Sequence, residues 1–117
     1  MSYEGRIHLK QEDGKTNLVY LNELELVVEN GKEYIWAHLY RLNWIVKVDT
    51  STGQVVKRIN LGVLQDIAVL TPSESYPSMY NYGDQDQALN GLAYDPVKDF
   101  FYVTGKKWGY IFKIRIY

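Results

Sequence analysis

The 117-residue sequence predicts an all-β chain of seven or eight antiparallel strands. The first observation is that apolar and polar residues alternate with a period of two along most of the chain, and no segment carries a sustained helical stripe. The second is that short clusters of Gly, Asn, Asp and Pro separate the alternating segments. The third is that the two halves of the chain repeat each other, which an ordinary β-sandwich does not require.

Each predicted strand ends in turn-forming residues. One strand precedes a group of four, and the last two strands of that group flank Thr50-Ser51-Thr52-Gly53, a short polar loop between two β-branched runs that is typical of a β-hairpin. Three further strands follow in the second half. The predicted strands are residues 6–10, 19–27, 34–40, 44–49, 54–61, 88–94, 100–104 and 109–116.

Residues 62–87 lack the alternating pattern and contain the turn formers Pro72, Pro77 and Gly83. We therefore predict a long loop here, with helix confined to it, near residues 64–69. Loops of this length inside compact domains are usually functional or form interfaces.

The repeat predicts the architecture. Leu21-Asn22-Glu23-Leu24-Glu25 matches Leu89-Asn90-Gly91-Leu92-Ala93, residues 34–37 match 101–104, and residues 44–48 match 110–114, at offsets of 68, 67 and 66. The repeating unit is an antiparallel meander of up to four strands, which is the building block of a propeller blade. Because a closed ring needs about four to eight blades and this chain holds about two, the sequence predicts a partial β-propeller that the chain alone does not close.

The predicted organisation is one unit, residues 1–117. Within it, residues 5–10 form an outer strand of a preceding blade, 19–61 one blade, 62–87 the long loop and 88–117 an incomplete blade.

Composition excludes several classes of function. The net charge of −1 argues against nucleic acid as a partner. No apolar run approaches the about 20 residues that a membrane span needs. The N-terminal residues lack the apolar core of a signal peptide, which favours an intracellular or organellar location.

No metal or other cofactor is expected. The chain has no Cys, and its two histidines, His8 and His38, stand thirty residues apart without a third ligand at a suitable spacing.

Four segments together resemble a known family over nearly the whole chain. They are similar to the C-terminal part of the plant- and bacterial-type glutaminyl-peptide cyclotransferases (glutamine cyclotransferases), which are five-bladed β-propellers. The segments are Leu21-Asn22-Glu23-Leu24-Glu25, the strand 44–49 with its Thr52-Gly53 turn, Leu89-Asn90-Gly91-Leu92-Ala93-Tyr94-Asp95-Pro96 and Val103-Thr104-Gly105-Lys106-Lys107-Trp108.

The resemblance implies a reaction. Enzymes of that family convert an N-terminal glutamine of a peptide into pyroglutamate and release ammonia, because the α-amine attacks the side-chain carboxamide carbon. The family holds the reacting group at the mouth of the propeller channel with a carboxylate, an Asn, a Lys and several tryptophans, without a catalytic metal.

The resemblance also implies site residues. Asn22 and Lys106 stand at the family's catalytic Asn and Lys, and Trp108 follows at the spacing of a substrate-binding Trp. Tyr40 stands where a pocket Trp is expected, and Arg41 replaces a usual Gln. A structural interpretation competes with each role, since Asn90 repeats Asn22 at an equivalent place and a Lys beside another Lys is typical of a solvated turn.

The resemblance places the family's general acid/base glutamate in N-terminal blades that these residues do not include. We therefore predict a non-catalytic structural or interaction subunit of a larger assembly, inactive by itself. The alternative is the C-terminal half of an active cyclotransferase that binds a peptide with N-terminal Gln. A third possibility is a peptide- or sugar-binding module with an aromatic channel mouth.

The predicted partners are other protein chains. They are expected to cover the open blade faces around four apolar positions, Ile35, Ile45, Phe101 and Ile111.

Overall fold

The computed structural model describes residues 1–70 and 89–117, which form two antiparallel sheets and one short helix. The first sheet has the order β1-β2-β3-β4 and the second the order β5-β6-β7, so each is a simple meander. The predicted all-β architecture of two successive meanders that do not close into a ring is confirmed. The elements are β1 Leu21–Glu29, β2 Lys32–Leu39, β3 Trp44–Asp49, β4 Val55–Asn60, α1 Gly62–Leu70, β5 Leu89–Asp95, β6 Phe100–Gly105 and β7 Phe112–Ile114.

Helix α1 occupies the start of the region predicted as a long loop with helix near residues 64–69. The rest of that loop, from residue 71, and the predicted strand start at residue 88 lie outside the described residues. The last strand is shorter than predicted, because β7 pairs with β6 over three residues only.

The predicted strand at residues 6–10 is wrong. Only Lys10 pairs there, in isolated bridges antiparallel to Asn17 and parallel to Gln54. Residues 9–18 form a narrow loop instead, in which Leu18 N donates to Leu9 O at 3.1 Å. The alternation at residues 6–10 lacks a neighbouring strand among the described residues, and an unpaired segment does not hold a strand conformation.

The main hydrophobic core lies between the two sheets. Trp36 of β2 meets Phe101 of β6 edge to face, with ring centroids 5.1 Å apart. We call this contact the inner interface. Its buried members are Val27, Trp36, Ile45, Leu61, Leu89, Leu92, Phe101 and Val103.

A second, smaller core lies on the other side of the first sheet. Alternation along β2 sends Trp36 to the inner interface and Ala37 to this second core. Leu9 and Leu18 of the N-terminal loop pack here, so residues 9–18 cover part of the first sheet. Its buried members are Leu18, Ala37, Leu39, Val46, Val48 and Val55.

Strand pairing corrects one offset of the repeat. Leu24 pairs with Ala37 as Leu92 pairs with Val103, which sets offsets of 68 in the first strand and 66 in the second. The third strands keep the predicted offset of 66, since Val103 pairs with Phe112 as Ala37 pairs with Val46. The predicted match of residues 34–37 with 101–104 is therefore one residue out of register. A slip of one residue exchanges the two faces of a strand, so only the correct register assigns faces.

The four apolar positions predicted to mark open faces have three different environments. Ile45 and Phe101 are buried in the inner interface, and that part of the prediction is wrong. Ile35 is partly buried beside the second core, and Ile111 is exposed. The reason is that Ile35 is equivalent to Phe101, and Ile45 to Ile111, so the contact between the two sheets covers one member of each pair.

We expect Gly53→Ala to detach the N-terminal loop from the first sheet. Gly53 has φ +76°, and a Cβ there would lie 2.0 Å from the carbonyl oxygen of His8. Gly31→Ala is the matched control, because Gly31 has φ +77° with nothing within 4 Å of the added Cβ. Each variant carries the about 1–2 kcal/mol cost of an L residue in this conformation. Chemical denaturation should show a larger loss for Gly53→Ala, and equal losses would contradict the packing described.

We also expect an acid-sensitive contribution from Asp49, the last residue of β3. Its carboxylate contacts Lys32 Nζ at 2.8 Å and accepts hydrogen bonds from Ser51, which lower its pKa from 3.8 to about 2. The unfolded chain therefore binds the proton more readily, so this contribution is complete above pH 3.8 and is lost as the pH falls towards about 2.

Urea unfolding at a series of acidic pH values measures this dependence. Asp49→Asn should flatten it, and Lys32→Gln should reduce it in part, because the bonds from Ser51 remain. A wild-type slope that both variants leave unchanged would contradict the assignment.

Candidate functional site

The four predicted site residues stand at one end of the two sheets. β1 begins and β2 ends there in the first sheet, as β5 begins and β6 ends there in the second. Asn43, just after β2, joins the two sheets at this end, because its Oδ1 accepts a hydrogen bond from Leu89 N at 3.1 Å. Its Nδ2 donates to Gln65 of α1. The topology therefore brings together the strand ends that carry Asn22, Tyr40, Lys106 and Trp108.

Asn22 lies on a β-bulge. It pairs with His38 across β1 and β2, and the register shifts between Asn22 and Leu24. The second sheet has a shift at the equivalent place, between Leu89 and Leu92. Because bulges re-aim side chains near strand ends, the Leu-Asn motif is a structural feature of both repeats, and a local role for Asn22 stands beside the predicted catalytic one.

Backbone strain is concentrated at this end. Four residues with bulky or charged side chains take positive φ here: Tyr20 at 67°, Glu23 at 51°, Arg41 at 64° and Lys107 at 62°. In the described residues, the two other non-glycine positions with positive φ are an Asn and an Asp in turns, residue types that tolerate this conformation. Such strain costs about 1–3 kcal/mol a residue and clusters at binding and catalytic sites.

Tyr40 and Arg41 project from the end of β2. Tyr40 N donates to Tyr20 O at 2.8 Å, and the guanidinium of Arg41 lies 5.4 Å from the centre of the Tyr40 ring. The Tyr40 ring is exposed in part. This pair presents a flat aromatic surface with a fixed positive charge, in place of the Trp and Gln that the resemblance implies.

Trp108 and Lys106 have different environments although they are neighbours. Trp108 packs on the backbone of Gly105 and meets Phe112 edge to face at 5.8 Å, at the margin of the inner interface. Lys106 is exposed in the turn after β6. The structure therefore places the Trp108 ring in packing contacts and leaves the Lys106 ammonium at the surface of this end.

His38 is a functional candidate that the sequence did not reveal as such. It is buried opposite Asn22, with Nε2 2.7 Å from Leu42 O, while Nδ1 is buried without a hydrogen-bond partner among the described residues. Burial lowers its pKa, against smaller opposing effects of the Leu42 carbonyl and Glu23. The only signal for His38 in the sequence was a polar residue inside an apolar strand. Asn43 lies between β2 and β3, and its bridging role depends on contacts distant in sequence.

No three His, Cys, Asp or Glu side chains group closely enough to hold a metal ion in residues 1–70 and 89–117. Over the same residues, no helix has the length and apolar character to cross a membrane. An open groove of about 530 Å³ is lined by residues 6–9 and 17–19, and none of the four predicted site residues lines it.

Comparison with known proteins identifies the family. The profile of the glutamine cyclotransferases matches residues 1–116. The chain belongs to the glutamine cyclotransferase family. The crystal structure of the glutaminyl cyclase of Myxococcus xanthus is similar, with a TM-score of 0.71 and 25% identity. No curated protein gives a significant match.

The structural match covers 93% of this cyclotransferase-family chain and 40% of the Myxococcus enzyme. The chain thus spans two fifths of the length of that solved relative. The predicted resemblance and the partial propeller are confirmed, while the roles of Asn22, Lys106, Trp108 and Tyr40 stay predictions.

We expect His38 to make the stability of the chain sensitive to mild acid. Because its pKa is lowered from 6.5 in the folded state, the unfolded chain binds a proton first, so stability is complete above pH 6.5 and falls as the pH drops through the lowered pKa. His38→Gln, whose side-chain amide can still donate to Leu42 O, should remove this dependence between neutral and mildly acidic pH in urea unfolding. An unchanged slope in the variant would refute the assignment.

Proposed function

We propose that this glutamine cyclotransferase-family chain is a structural, protein-binding part of a larger assembly and does not by itself cyclise N-terminal glutamine. The observation that carries the proposal is an apolar stripe on β1. Leu24, Leu26 and Val28 lie two residues apart on one face of the strand, and more than half of each side chain is exposed.

The stripe has the character of an interface. Its residues point away from the inner interface, to which Val27 of the same strand belongs. The N-terminal loop covers the neighbouring second core, whose buried members all lie outside β1. A contiguous exposed apolar surface on an otherwise ordinary chain marks a site of protein association.

The chemistry of cyclisation supports the inactive state of the chain alone. As the α-amine attacks the carboxamide carbon, a proton must leave the amine and another must reach the departing ammonia. The resemblance assigns this transfer to a glutamate in N-terminal blades, and the structural match spans 40% of the solved relative. A missing general acid–base group costs about 10²–10⁴ in rate.

A second candidate function is the C-terminal half of an active glutaminyl-peptide cyclotransferase. The observation that favours it is that Asn22 and Lys106 stand at the same end of the two sheets, where the backbone is strained. In that case Lys106 would stabilise the developing oxyanion and Asn22 would orient the substrate carboxamide. A partner chain would supply the proton-transferring carboxylate.

Ammonia release from a peptide with N-terminal Gln distinguishes the two. We expect none from the purified chain and none that depends on it in its native assembly. Turnover by the chain alone would overturn the proposal. Turnover in the assembly that Lys106→Ala and Asn22→Ala abolish, and that the control Lys98→Ala leaves intact, would establish the second candidate. Lys98 is a suitable control because it lies in the turn between β5 and β6, at the opposite end of the sheet.

A further inference from the structure

We propose that the chain associates head to tail with a second copy of itself, through an interface that repeats the contact between its own two sheets. The proposal rests on the protein-binding role proposed above and names the partner. It follows from the corrected register of the repeat, which shows that the face of each sheet outside the inner interface is equivalent to the face that the other sheet contributes to it.

The inner interface joins two different faces. The first sheet contributes the face of Val27, Trp36 and Ile45, and the second sheet contributes the opposite face of the meander, with Leu92 and Phe101. Through the offsets of 68 and 66, the first of these faces corresponds to Tyr102 and Ile111 in the second sheet, and the other corresponds to Leu24 and Ile35 in the first. Among the described residues, the N-terminal loop covers the part of the repeated face on the first sheet that lies over the second core, whereas Leu24 on β1 stays exposed. On the second sheet, Ile111 stays exposed.

Equivalent residues of the two sheets differ widely in their exposed fraction. Leu92 is 7% exposed in the inner interface, whereas its equivalent Leu24 is 58% exposed. Ile45 is fully buried there, whereas its equivalent Ile111 is 72% exposed. The residue type is the same within each pair, so the difference comes from the absence of a facing sheet and not from the sequence.

We call the face of the second sheet that carries Tyr102 and Ile111 the outer face. It repeats a cation–aromatic contact found on the equivalent face of the first sheet, which is covered in the inner interface. Lys47 lies 4.1 Å from the centre of the Tyr34 ring in the first sheet, and Lys113 lies 4.1 Å from the centre of the equivalent Phe100 ring in the second. The Lys47 side chain is nearly buried and paired with Glu29 at 2.7 Å. A lysine at this position is therefore compatible with sheet packing when a carboxylate is near it.

Charge complementarity favours a second copy as the occupant. The position equivalent to Glu29 in the second sheet is Val97, so the outer face lacks that carboxylate and carries Lys113 and Arg115. The acidic group on the side of the β1 stripe comes from β2, because Glu25 and Glu29 of β1 lie on the face opposite the stripe, where Glu29 is paired with Lys47. Glu33 pairs with Val28 and so shares the face of the stripe. Docking the outer face of one copy on the stripe of the next brings these charges together.

An association of this kind is heterologous, because the two surfaces in contact differ. It predicts that one copy with a damaged stripe and another with a damaged outer face still share one intact interface. A symmetric dimer that used the stripe twice would not show this behaviour.

Sedimentation equilibrium over a series of concentrations tests the proposal. We expect the wild-type mass to rise above the monomer mass of 13.7 kDa as concentration increases. Leu24→Asp and Ile111→Asp should each stay at 13.7 kDa, and the control Val63→Asp, on the exposed side of α1, should associate like the wild type. Far-UV circular dichroism and thermal melts verify folding, which the exposure of all three positions favours.

The decisive arm mixes Leu24→Asp with Ile111→Asp in equal amounts. We expect a 1:1 complex of twice the monomer mass and nothing larger. A folded wild-type chain that stays monomeric, association that survives both variants, or a mixture that stays monomeric would each overturn the proposal. Ammonia release is measured separately, so these outcomes leave the test of catalytic inactivity independent. Association with an unrelated chain while the wild type alone stays monomeric would sustain the protein-binding role and refute self-association.

Discussion

The contact between the two sheets is the interaction on which the rest of the structure depends. Each meander alone would expose a broad apolar face, and the edge-to-face contact of Trp36 with Phe101 lies at the centre of the surface that they share. Burying side chains of this size stabilises the fold by about 1.5–3 kcal/mol each. Since β1 and β5 are neighbours across this contact, it also fixes which strand ends come together.

The candidate site depends on that contact in turn. Positive φ at Tyr20, Glu23, Arg41 and Lys107 persists only where surrounding structure holds it, and the backbone hydrogen bond from Tyr40 N to Tyr20 O is one such restraint. Asn43 extends the same support through its bond to Leu89 N, which ties the turn after β2 to the start of β5. The geometry of the strand ends is thus a consequence of sheet packing rather than of local sequence preference.

Local signals explain which features the sequence predicts well. The hairpin around Gly53, the strand bounds near Trp44–Asp49 and the paired Leu-Asn motifs all follow from alternation and turn residues within a few positions. The failures are of another kind. The unpaired segment 6–10, the register near residue 101 and the burial of Ile45 depend on which strand or face lies opposite, and an alternating pattern is compatible with either answer. Asn43 was missed for the same reason, because its bond to Leu89 N joins residues distant in sequence, and the burial of His38 likewise depends on the packing around it.

The repeat architecture explains why several wrong predictions concern which face of a sheet is covered. In stacked repeats each sheet contacts only its neighbours. An open array therefore has two uncovered terminal faces, whatever the number of its units. Terminal units of such arrays need a cap, and the N-terminal loop is a partial one: Leu9 and Leu18 cover the second core, but Leu24 and its neighbours on β1 remain outside it. No corresponding segment among the described residues covers Ile111. The surface that most distinguishes this chain from a closed propeller is therefore formed by ordinary blade residues that no sheet faces within residues 1–70 and 89–117.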